Sequence, residues 1–189
     1  LIKHIFFQYK QNNSSFVKDF KINQEHKVWE TFPDLASKID LYEWKKVFDI
    51  VDIFKKLNIT NKKEIKILEI GPGSCLLPLA LKKLLLINKA TLIDLDFMIP
   101  YGFSLLSNYI SSSKIILPNE QKTNDSVFEF QKNNNINIEK NTYDAAFNIT
   151  SFGEMNIKQV TEYFKLINLS LKINGYFICV NRIDKSVYW

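Results

Sequence analysis

The sequence predicts an α/β fold, in which a mainly parallel β-sheet is covered by helices on both faces. From Glu64 onward, short apolar runs that are typical of buried strands alternate with longer segments whose apolar residues recur at three- and four-residue steps, as in helices. One short run ends on Asp94, and another reaches Glu69 just before two glycines. Polar residues and glycines at strand ends are typical of the ligand-binding edge of a parallel sheet.

The chain of 189 residues suits one domain of ordinary size, and no tandem repeat is visible. Hydrophobic residues at 46% and aromatic residues at 14% exclude a disordered chain. Strands are predicted over residues 65–70, 90–94, 114–117, 143–149 and 176–180. Helices are predicted over residues 74–86, 97–111, 125–132 and 157–171.

The last of these helices is the best specified element. Asn156 is a preferred N-cap residue, and Gln159 stands three residues further on, which is the spacing of a capping box. The apolar residues that follow fall on one helical face. Gly175 is expected to stop the helix before the final strand.

Residues 1–60 contain no glycine and are predicted to form a helical cap on the domain that follows, residues 61–189. The clearest part is 41–57, where apolar side chains recur at three- and four-residue steps and form one stripe. The members of this stripe are Trp44, Val47, Phe48, Val51, Phe54 and Leu57. We interpret the cap as part of the fold and not as a separate catalytic domain.

Charge and cysteine content limit the expected partners and compartment. The net charge is +5, but the lysines are scattered among asparagines and carboxylates and Arg182 is the single arginine, so the pattern argues against a nucleic acid partner. No apolar run approaches the ~20 residues that span a bilayer. Cys75 and Cys179 indicate neither a disulfide framework nor a metal site, so we expect a protein of the reducing cytoplasm. We predict no metal-binding residues, and the sequence leaves metal dependence open.

The most informative segment is the turn between the strand at 65–70 and its helix. Gly71 and Gly73 stand one residue apart after Glu69, and glycine lets a backbone approach a ligand closely. A dinucleotide-binding turn would need a third glycine, at the position of Leu76. The negative charge of Glu69 would repel a phosphate and attract an ammonium group. The pattern therefore favours a cationic nucleoside ligand, and the alternative is a tight turn that binds nothing.

Together with Asp94 at the end of the next strand, this turn resembles the S-adenosylmethionine (SAM) pocket of class I methyltransferases. The resemblance implies a Rossmann-like sheet with SAM as the cofactor. It also implies that Glu69, Gly71 and Gly73 hold the methionyl part of SAM. In the same way, it assigns the ribose hydroxyls to Asp94.

Three further positions, and the length of the segment after Arg182, bear on this resemblance. Asn119 follows the strand at 114–117, where class I enzymes recognise the adenine edge, and its amide can both donate and accept; filling a loop is the alternative. Asp96 is a second candidate for the ribose, and Cys75 stands where the family often has a third glycine. Class I methyltransferases usually have two more strands at the C-terminal end of the sheet. The seven residues after Arg182 are too few to form them, so we expect these two strands to be missing from this chain.

A second segment, residues 148–155, follows the strand at 143–149 and precedes the last helix. It reads Asn-Ile-Thr-Ser-Phe-Gly-Glu-Met and resembles the N-T-x-S-F-x-E-M segment of sugar O-methyltransferases found in bacterial polysaccharide gene clusters. The family usually has proline where this chain has Asp96. The resemblance implies methyl transfer to a sugar hydroxyl of a polysaccharide or glycan precursor. Shorter matches stand in the same order at residues 92–95, 117–119, 163–164 and 180–182.

Within this segment, Glu154 is the candidate general base, because the acceptor hydroxyl must lose its proton as the new bond forms. The alternative is that Glu154 only favours the positive end of a helix. Ser151 and Asn148 are candidates to orient the acceptor hydroxyl, and Asn148 is also placed with the cofactor-binding residues, although both residue types equally suit turns. His26 in the helical cap is an alternative base.

Two other functions stay open at the level of the sequence. One is methyl transfer to RNA or protein, which the positive charge favours slightly. Base N-methylation often uses an Asn/Asp-Pro-Pro-aromatic segment, and no proline follows Asn148 here. The other is a non-catalytic SAM-fold subunit of a larger assembly. The sequence does not specify an oligomeric state.

Overall fold

Seven strands form one sheet in the part of the chain that the computed structural model describes, residues 3–7, 41–57 and 62–181. The strands are β1 (Lys3–Phe7), β2 (Lys66–Ile70), β3 (Lys89–Asp94), β4 (Ile115–Ile116), β5 (Phe128–Lys132), β6 (Tyr143–Ile149) and β7 (Leu171–Val180). Their order across the sheet is β1, β7, β6, β2, β3, β5, β4. Every neighbouring pair is parallel, so the predicted parallel α/β sheet is confirmed.

Helices cover both faces of this sheet, as predicted. Successive side chains of a strand point to opposite faces. Ile67 of β2 therefore joins a core with Phe54 and Leu79 on one face, and Leu68 joins a second core with Ile167 on the other. Within the described residues the helices are α1 (Leu41–Lys56), α2 (Leu76–Lys83), α3 (Ile99–Ser107) and α4 (Ile157–Ser170), and short 3₁₀ turns occupy Ser112–Lys114 and Ser151–Glu154.

Helix α4 begins with the predicted capping box. The Asn156 side chain accepts from the Gln159 backbone N–H at 2.9 Å, and the Gln159 side chain accepts from the Asn156 N–H at 3.1 Å. The predicted stop at Gly175 is wrong, because α4 ends at Ser170 and β7 begins at the next residue. Asn174 has a φ of 63°, and a register shift opposite β6 makes the start of β7 irregular.

The helix predicted over residues 125–132 is wrong, because this segment contains strand β5. Phe128 and Phe130 are buried and alternate with the less buried Glu129, so the apolar period is two residues and not three to four. β5 pairs with β3 on one side and with β4 on the other. β5, and not the strand near 114–117, is therefore the neighbour of β3.

Of the residues 1–60 that were predicted to be helical, Leu41–Lys56 form helix α1, which packs against α2, so the prediction is confirmed there. It is wrong for Lys3–Phe7, which form strand β1 beside β7. Local periodicity cannot reveal a strand whose partner lies so far along the chain. The candidate base His26 lies outside the described residues, and so does Arg182. Among the described helices, none combines the length and the apolar character needed to cross a membrane.

Candidate functional site

A cavity of about 500 Å³ lies at the carboxyl edge of the sheet, between the residues that follow β2, β3, β5 and β6. Two of its wall residues, Asp94 and Glu154, carry carboxylates, and no Lys, Arg or His is among the wall residues that the structure describes. The wall therefore favours a cationic ligand. It is formed by Gly71, Gly73, Ile93, Asp94, Leu95, Phe97, Met98, Asn133, Ile149, Thr150, Ser151, Glu154, Met155, Gln159 and Tyr163.

The glycine turn after β2 requires glycine for two physical reasons. Gly71 and Gly73 have φ values of +65° and +52°, which residues with a Cβ rarely adopt. In addition, a Cβ on Gly71 would lie 2.5 Å from the Cβ of Ser151. The Gly71 N–H donates to the Ile93 carbonyl at 2.8 Å, which ties the turn to β3. The turn therefore presents backbone, and no side chain, to the cavity.

Cys75 follows this turn, at the position where the methyltransferases that the turn resembles often have a third glycine. It has a φ of 60° and is the N-cap residue of α2. Its side chain is buried, and Sγ lies 3.8 Å from the Gly73 carbonyl oxygen. Burial, and then the nearby carboxyl groups of Glu69 and Asp94, raise the pKa of the Cys75 thiol. The thiol therefore stays protonated, and its role is packing.

Asp94 ends β3 in the cavity wall and is fixed by two backbone groups. Its Oδ2 accepts from the Gly73 N–H at 2.9 Å, and its Oδ1 accepts from the Leu95 N–H at 2.8 Å. Burial raises the pKa of Asp94, the two N–H groups lower it, and the charge of Glu154 raises it. Because each carboxylate oxygen can accept a further hydrogen bond, this geometry suits a pair of ligand hydroxyl groups.

Glu69 lies beneath the glycine turn with only 2% of its surface exposed. Burial, and then the charge of Asp94, raise the pKa of Glu69 to about 8. Among the described residues, its Oε2 has no hydrogen-bond partner. A buried polar atom without a partner costs about 1–3 kcal/mol, so this oxygen is a candidate acceptor for a ligand N–H group. Glu69 is not among the residues that line the cavity, and its contact with a cofactor stays a prediction.

The loop between β6 and α4 brings Ser151 and Glu154 to the same cavity as Asp94. Thr150 has a φ of 66°, which turns the chain sharply into the 3₁₀ turn that carries both side chains. The Ser151 hydroxyl donates to the Ile70 carbonyl at 3.2 Å, so this loop lies directly against the end of β2. Glu154 is exposed at the cavity wall, where a carboxylate can meet an incoming acceptor.

The prediction that Asn148 contacts the cofactor needs correction. Asn148 is completely buried and does not line the cavity. Its Nδ2 donates to the Ile70 carbonyl at 3.0 Å and to the Ser151 hydroxyl at 2.5 Å, and its Oδ1 accepts from the Phe152 N–H at 3.2 Å. The amide is therefore used inside the protein.

The prediction for Asn119 also needs correction, because this residue lines a separate cavity of about 220 Å³ at the outer edge of the sheet. Another asparagine, Asn133, lines the cavity of about 500 Å³. It follows β5, it lines the same cavity as Asp94, and its backbone N–H donates to the Asp94 carbonyl at 2.9 Å. The apolar residues Phe128 and Phe130 alternate with polar ones, which is the sequence signal of a strand, and that strand would have placed Asn133 at the carboxyl edge of the sheet.

Two further wall residues were not predicted as site residues. Tyr163 of α4 stacks on Phe152 with ring centroids 6.0 Å apart, and burial, followed by the charge of Asp94, raises the pKa of its phenol. Tyr163 is therefore a neutral hydrogen-bond donor in the wall. Phe97 is 74% exposed at the wall, and an aromatic residue so close to the end of β3 was the available signal.

Two other acidic residues, Asp96 and Asp144, are not among the residues that line the cavity. Asp144 is buried at the amino end of β6, where its carboxylate pairs with Lys62 at 2.7 Å and Lys172 at 2.9 Å. Burial raises the pKa of Asp144, but these two lysines and a backbone N–H outweigh it and lower the pKa overall. Asp96 is exposed and pairs with Lys132 at 2.8 Å. No group of three or more potential metal ligands occurs within the described segments.

Comparison with known proteins identifies the fold. No family model matches the chain, and no curated protein matches it. Solved structures do match. One is assigned as a SAM-dependent methyltransferase of Methanococcus maripaludis, with 21% identity and a TM-score of 0.52, covering 72% of this chain and 56% of that one.

Two further solved structures give the same result. A protein of Nostoc punctiforme assigned as an O-methyltransferase has 12% identity and a TM-score of 0.52, covering 85% of this chain and 43% of that one. The methyltransferase domain of a bacterial Hen1 protein has 13% identity and a TM-score of 0.51, covering 69% and 62%. The chain thus has the Rossmann-like fold of class I SAM-dependent methyltransferases, and it spans less than two thirds of each of these structures.

Proposed function

We propose that this chain binds SAM in the cavity at the carboxyl edge of the sheet and transfers the methyl group to a sugar hydroxyl of a polysaccharide or glycan precursor. One observation carries the cofactor part: the glycine turn is hydrogen-bonded to Asp94 in a cavity whose described wall holds two carboxylates and no basic side chain. Negative charge attracts a sulfonium cation and repels the phosphates of a dinucleotide. The methyltransferase fold agrees with this choice.

Residues in the cavity wall, together with Glu69 beneath the glycine turn, would hold the parts of SAM. Asp94 would accept hydrogen bonds from the ribose hydroxyls, and the Asn133 amide, beside the end of β5, would meet the adenine edge. The unpaired Oε2 of Glu69 beneath the glycine turn would accept from the ammonium group of the methionyl part. When bound, the cofactor supplies an electrophilic methyl group on a positively charged sulfur.

Glu154 is proposed to receive the proton of the acceptor. The hydroxyl oxygen bonds to the methyl carbon as the carbon–sulfur bond breaks, its electron pair stays on sulfur, and the hydroxyl proton goes to the Glu154 carboxylate. A positioned base contributes ~10²–10⁴-fold to such a step. Holding the acceptor in line contributes more, roughly 7–11 kcal/mol, and Ser151 on the same loop would help with it.

The wall near Glu154 supports a sugar as the acceptor. Phe97, Met98 and Met155 are apolar residues in the same cavity wall as Glu154. The C–H face of a sugar ring suits an aromatic face, while its hydroxyl groups suit a carboxylate. The resemblance of residues 148–155 to sugar O-methyltransferases supports the same substrate class.

The test is the transfer of labelled methyl groups from SAM to separate pools of glycan precursor, RNA and protein. We expect the label in the glycan pool, with a mass increase of one CH₂ group on a sugar. Glu154→Gln should reduce this transfer to near background. Label in RNA or protein would show that the acceptor is not a sugar. SAM binding without any transfer would support a non-catalytic subunit.

A further inference from the structure

Two asparagines, Asn148 of β6 and Asn181 directly after β7, form a hydrogen-bonded pair beside the candidate site. The Asn181 Nδ2 donates to the Asn148 Oδ1 at 2.7 Å, and the Asn181 Oδ1 accepts from the Gly153 N–H at 3.0 Å. Because backbone N–H groups can only donate, the contacts from Gly153 and Phe152 fix the orientation of both amides. We call these two residues the asparagine pair.

The asparagine pair holds the 3₁₀ turn that carries Ser151 and Glu154. It accepts from the N–H groups of Phe152 and Gly153, and it donates to the Ser151 hydroxyl. The turn has backbone hydrogen bonds of its own, from Gly153 to Thr150 and from Met155 to Phe152, and the asparagine pair adds contacts that tie it to β6 and to the end of β7. The direction in which Glu154 points therefore depends on residues that do not line the cavity.

The same pair ties this turn to the glycine turn. Asn148 and Ser151 both donate to the Ile70 carbonyl, at 3.0 and 3.2 Å, immediately before Gly71. The contact that a Cβ on Gly71 would make with Ser151 places the two turns in direct contact. The ends of β2, β6 and β7 are thus joined through one polar network between the proposed cofactor turn and the proposed base.

We propose that Asn148 and Asn181 are positioning residues, which fix Ser151 and Glu154 relative to the glycine turn and thereby align the acceptor hydroxyl with the methyl donor. This inference rests on the proposed function. It gives Asn148 an indirect role in orienting the acceptor hydroxyl, through Ser151, and it assigns a role to Asn181. A misplacement of about 1 Å can cost ~10²-fold in rate, so the pair acts mainly on the chemical step.

The main test is Asn181→Ala, because Asn181 lies at the outer end of the network and the change leaves the contacts of Asn148 with Ile70 and Ser151 intact. Asn168→Ala on the exposed side of α4 is the matched control. We expect kcat to fall by roughly 10–100-fold while KM for SAM and the dissociation constant of S-adenosylhomocysteine (SAH) stay unchanged. Asn181→Asp keeps an oxygen facing the Gly153 N–H but places a second oxygen against the Asn148 Oδ1, so it should lower kcat as well.

A second measurement needs no cofactor. Amide hydrogen exchange in residues 150–155 should become faster in Asn181→Ala than in the wild type, while exchange in the glycine turn stays the same. If Asn181→Ala fails to fold, Asn181→Leu, which keeps a side chain of similar size but removes both polar contacts, provides the same comparison. Unchanged exchange at residues 150–155 would overturn the proposal, and so would equal losses in kcat and SAH binding. If the wild type binds no SAH, the proposed function fails and the exchange result alone decides on the pair.

Discussion

The backbone N–H of Gly73 donates a hydrogen bond to Oδ2 of Asp94 over 2.9 Å. This bond joins the glycine turn after β2 to the acid at the end of β3, two features that the sequence marks as ligand-binding. Because the bond fixes both features in one geometry, a ligand that contacts the turn also meets the carboxylate of Asp94. The two motifs therefore form one binding surface.

Asp94→Asn should weaken SAH binding by roughly 10–100-fold, because a charge-assisted hydrogen bond contributes about 1.5–3 kcal/mol. The carboxylate now accepts hydrogen bonds from the N–H groups of Gly73 and Leu95, and the NH₂ group of asparagine would face one of these two donors without a hydrogen bond. Equilibrium dialysis with labelled SAH measures the change. Asp96→Asn is the matched control, because Asp96 is exposed and pairs with Lys132. Equal effects of the two changes would refute the assignment of Asp94.

Asn133→Ala should weaken SAH binding by about 5-fold, since a neutral hydrogen bond contributes about 1 kcal/mol. The neighbouring Asn134 is exposed and does not line the cavity, so Asn134→Ala should have no effect. Competition between SAH and adenosine locates the loss at the adenine end of the ligand. Tight SAH binding by Asn133→Ala would remove this residue from the site.

Glu154→Gln should lower kcat by ~10²–10⁴-fold, because a neutral amide cannot take up the proton that the acceptor hydroxyl loses. Binding of SAH, which lacks the sulfonium charge, should change little. Steady-state kinetics with a hydroxyl acceptor measures the first effect and calorimetry the second. Glu162→Gln on exposed α4, which breaks only an ion pair with Lys165, should leave both unchanged. A Glu154→Gln variant with the full rate would mean that another group is the base.

Glu69→Gln should change how stability depends on pH. The pKa of Glu69 is raised to about 8 by burial and by Asp94, so the folded chain holds a proton that the unfolded chain loses above its ordinary pKa of 4.5. The free energy of unfolding of the wild type therefore falls as pH rises from 4.5 to about 8, by an amount on the order of a few kcal/mol. Glutamine removes this loss.

Urea unfolding at a series of pH values compares Glu69→Gln with the wild type and with Glu64→Gln, a change at an exposed glutamate. The curve of Glu64→Gln should follow the wild type. If Glu69→Gln also follows it across this pH range, Glu69 is not held protonated in the folded chain.

Much of the sheet could be predicted from the sequence, because buried parallel strands read as continuous apolar runs. The strand predicted over residues 143–149 agrees with β6, and the capping box at Asn156 placed the start of α4. The glycine turn and Asp94 were found because their chemistry depends on local residue types. The approach of Ser151 to Gly71 was not found, because it depends on the pairing of β2 with β6.

The errors have specific physical causes. β5 was read as a helix because its segment is short and polar residues surround Phe128 and Phe130, so the period of two was missed. That error moved the expected adenine contact to Asn119 and hid Asn133. Asn148 was placed at the ligand because an amide at a strand end suits both a ligand and a loop, and only its burial decides between them.

The measurement that tests the central claim most directly is calorimetric titration of the chain with SAH, beside titrations with ATP and NAD. We expect one molecule of SAH to bind per chain, no heat from the two phosphate-bearing ligands, and a clear loss of SAH binding in Asp94→Asn. Binding of ATP or NAD in place of SAH, or SAH binding that Asp94→Asn leaves unchanged, would contradict the assignment of this cavity to SAM.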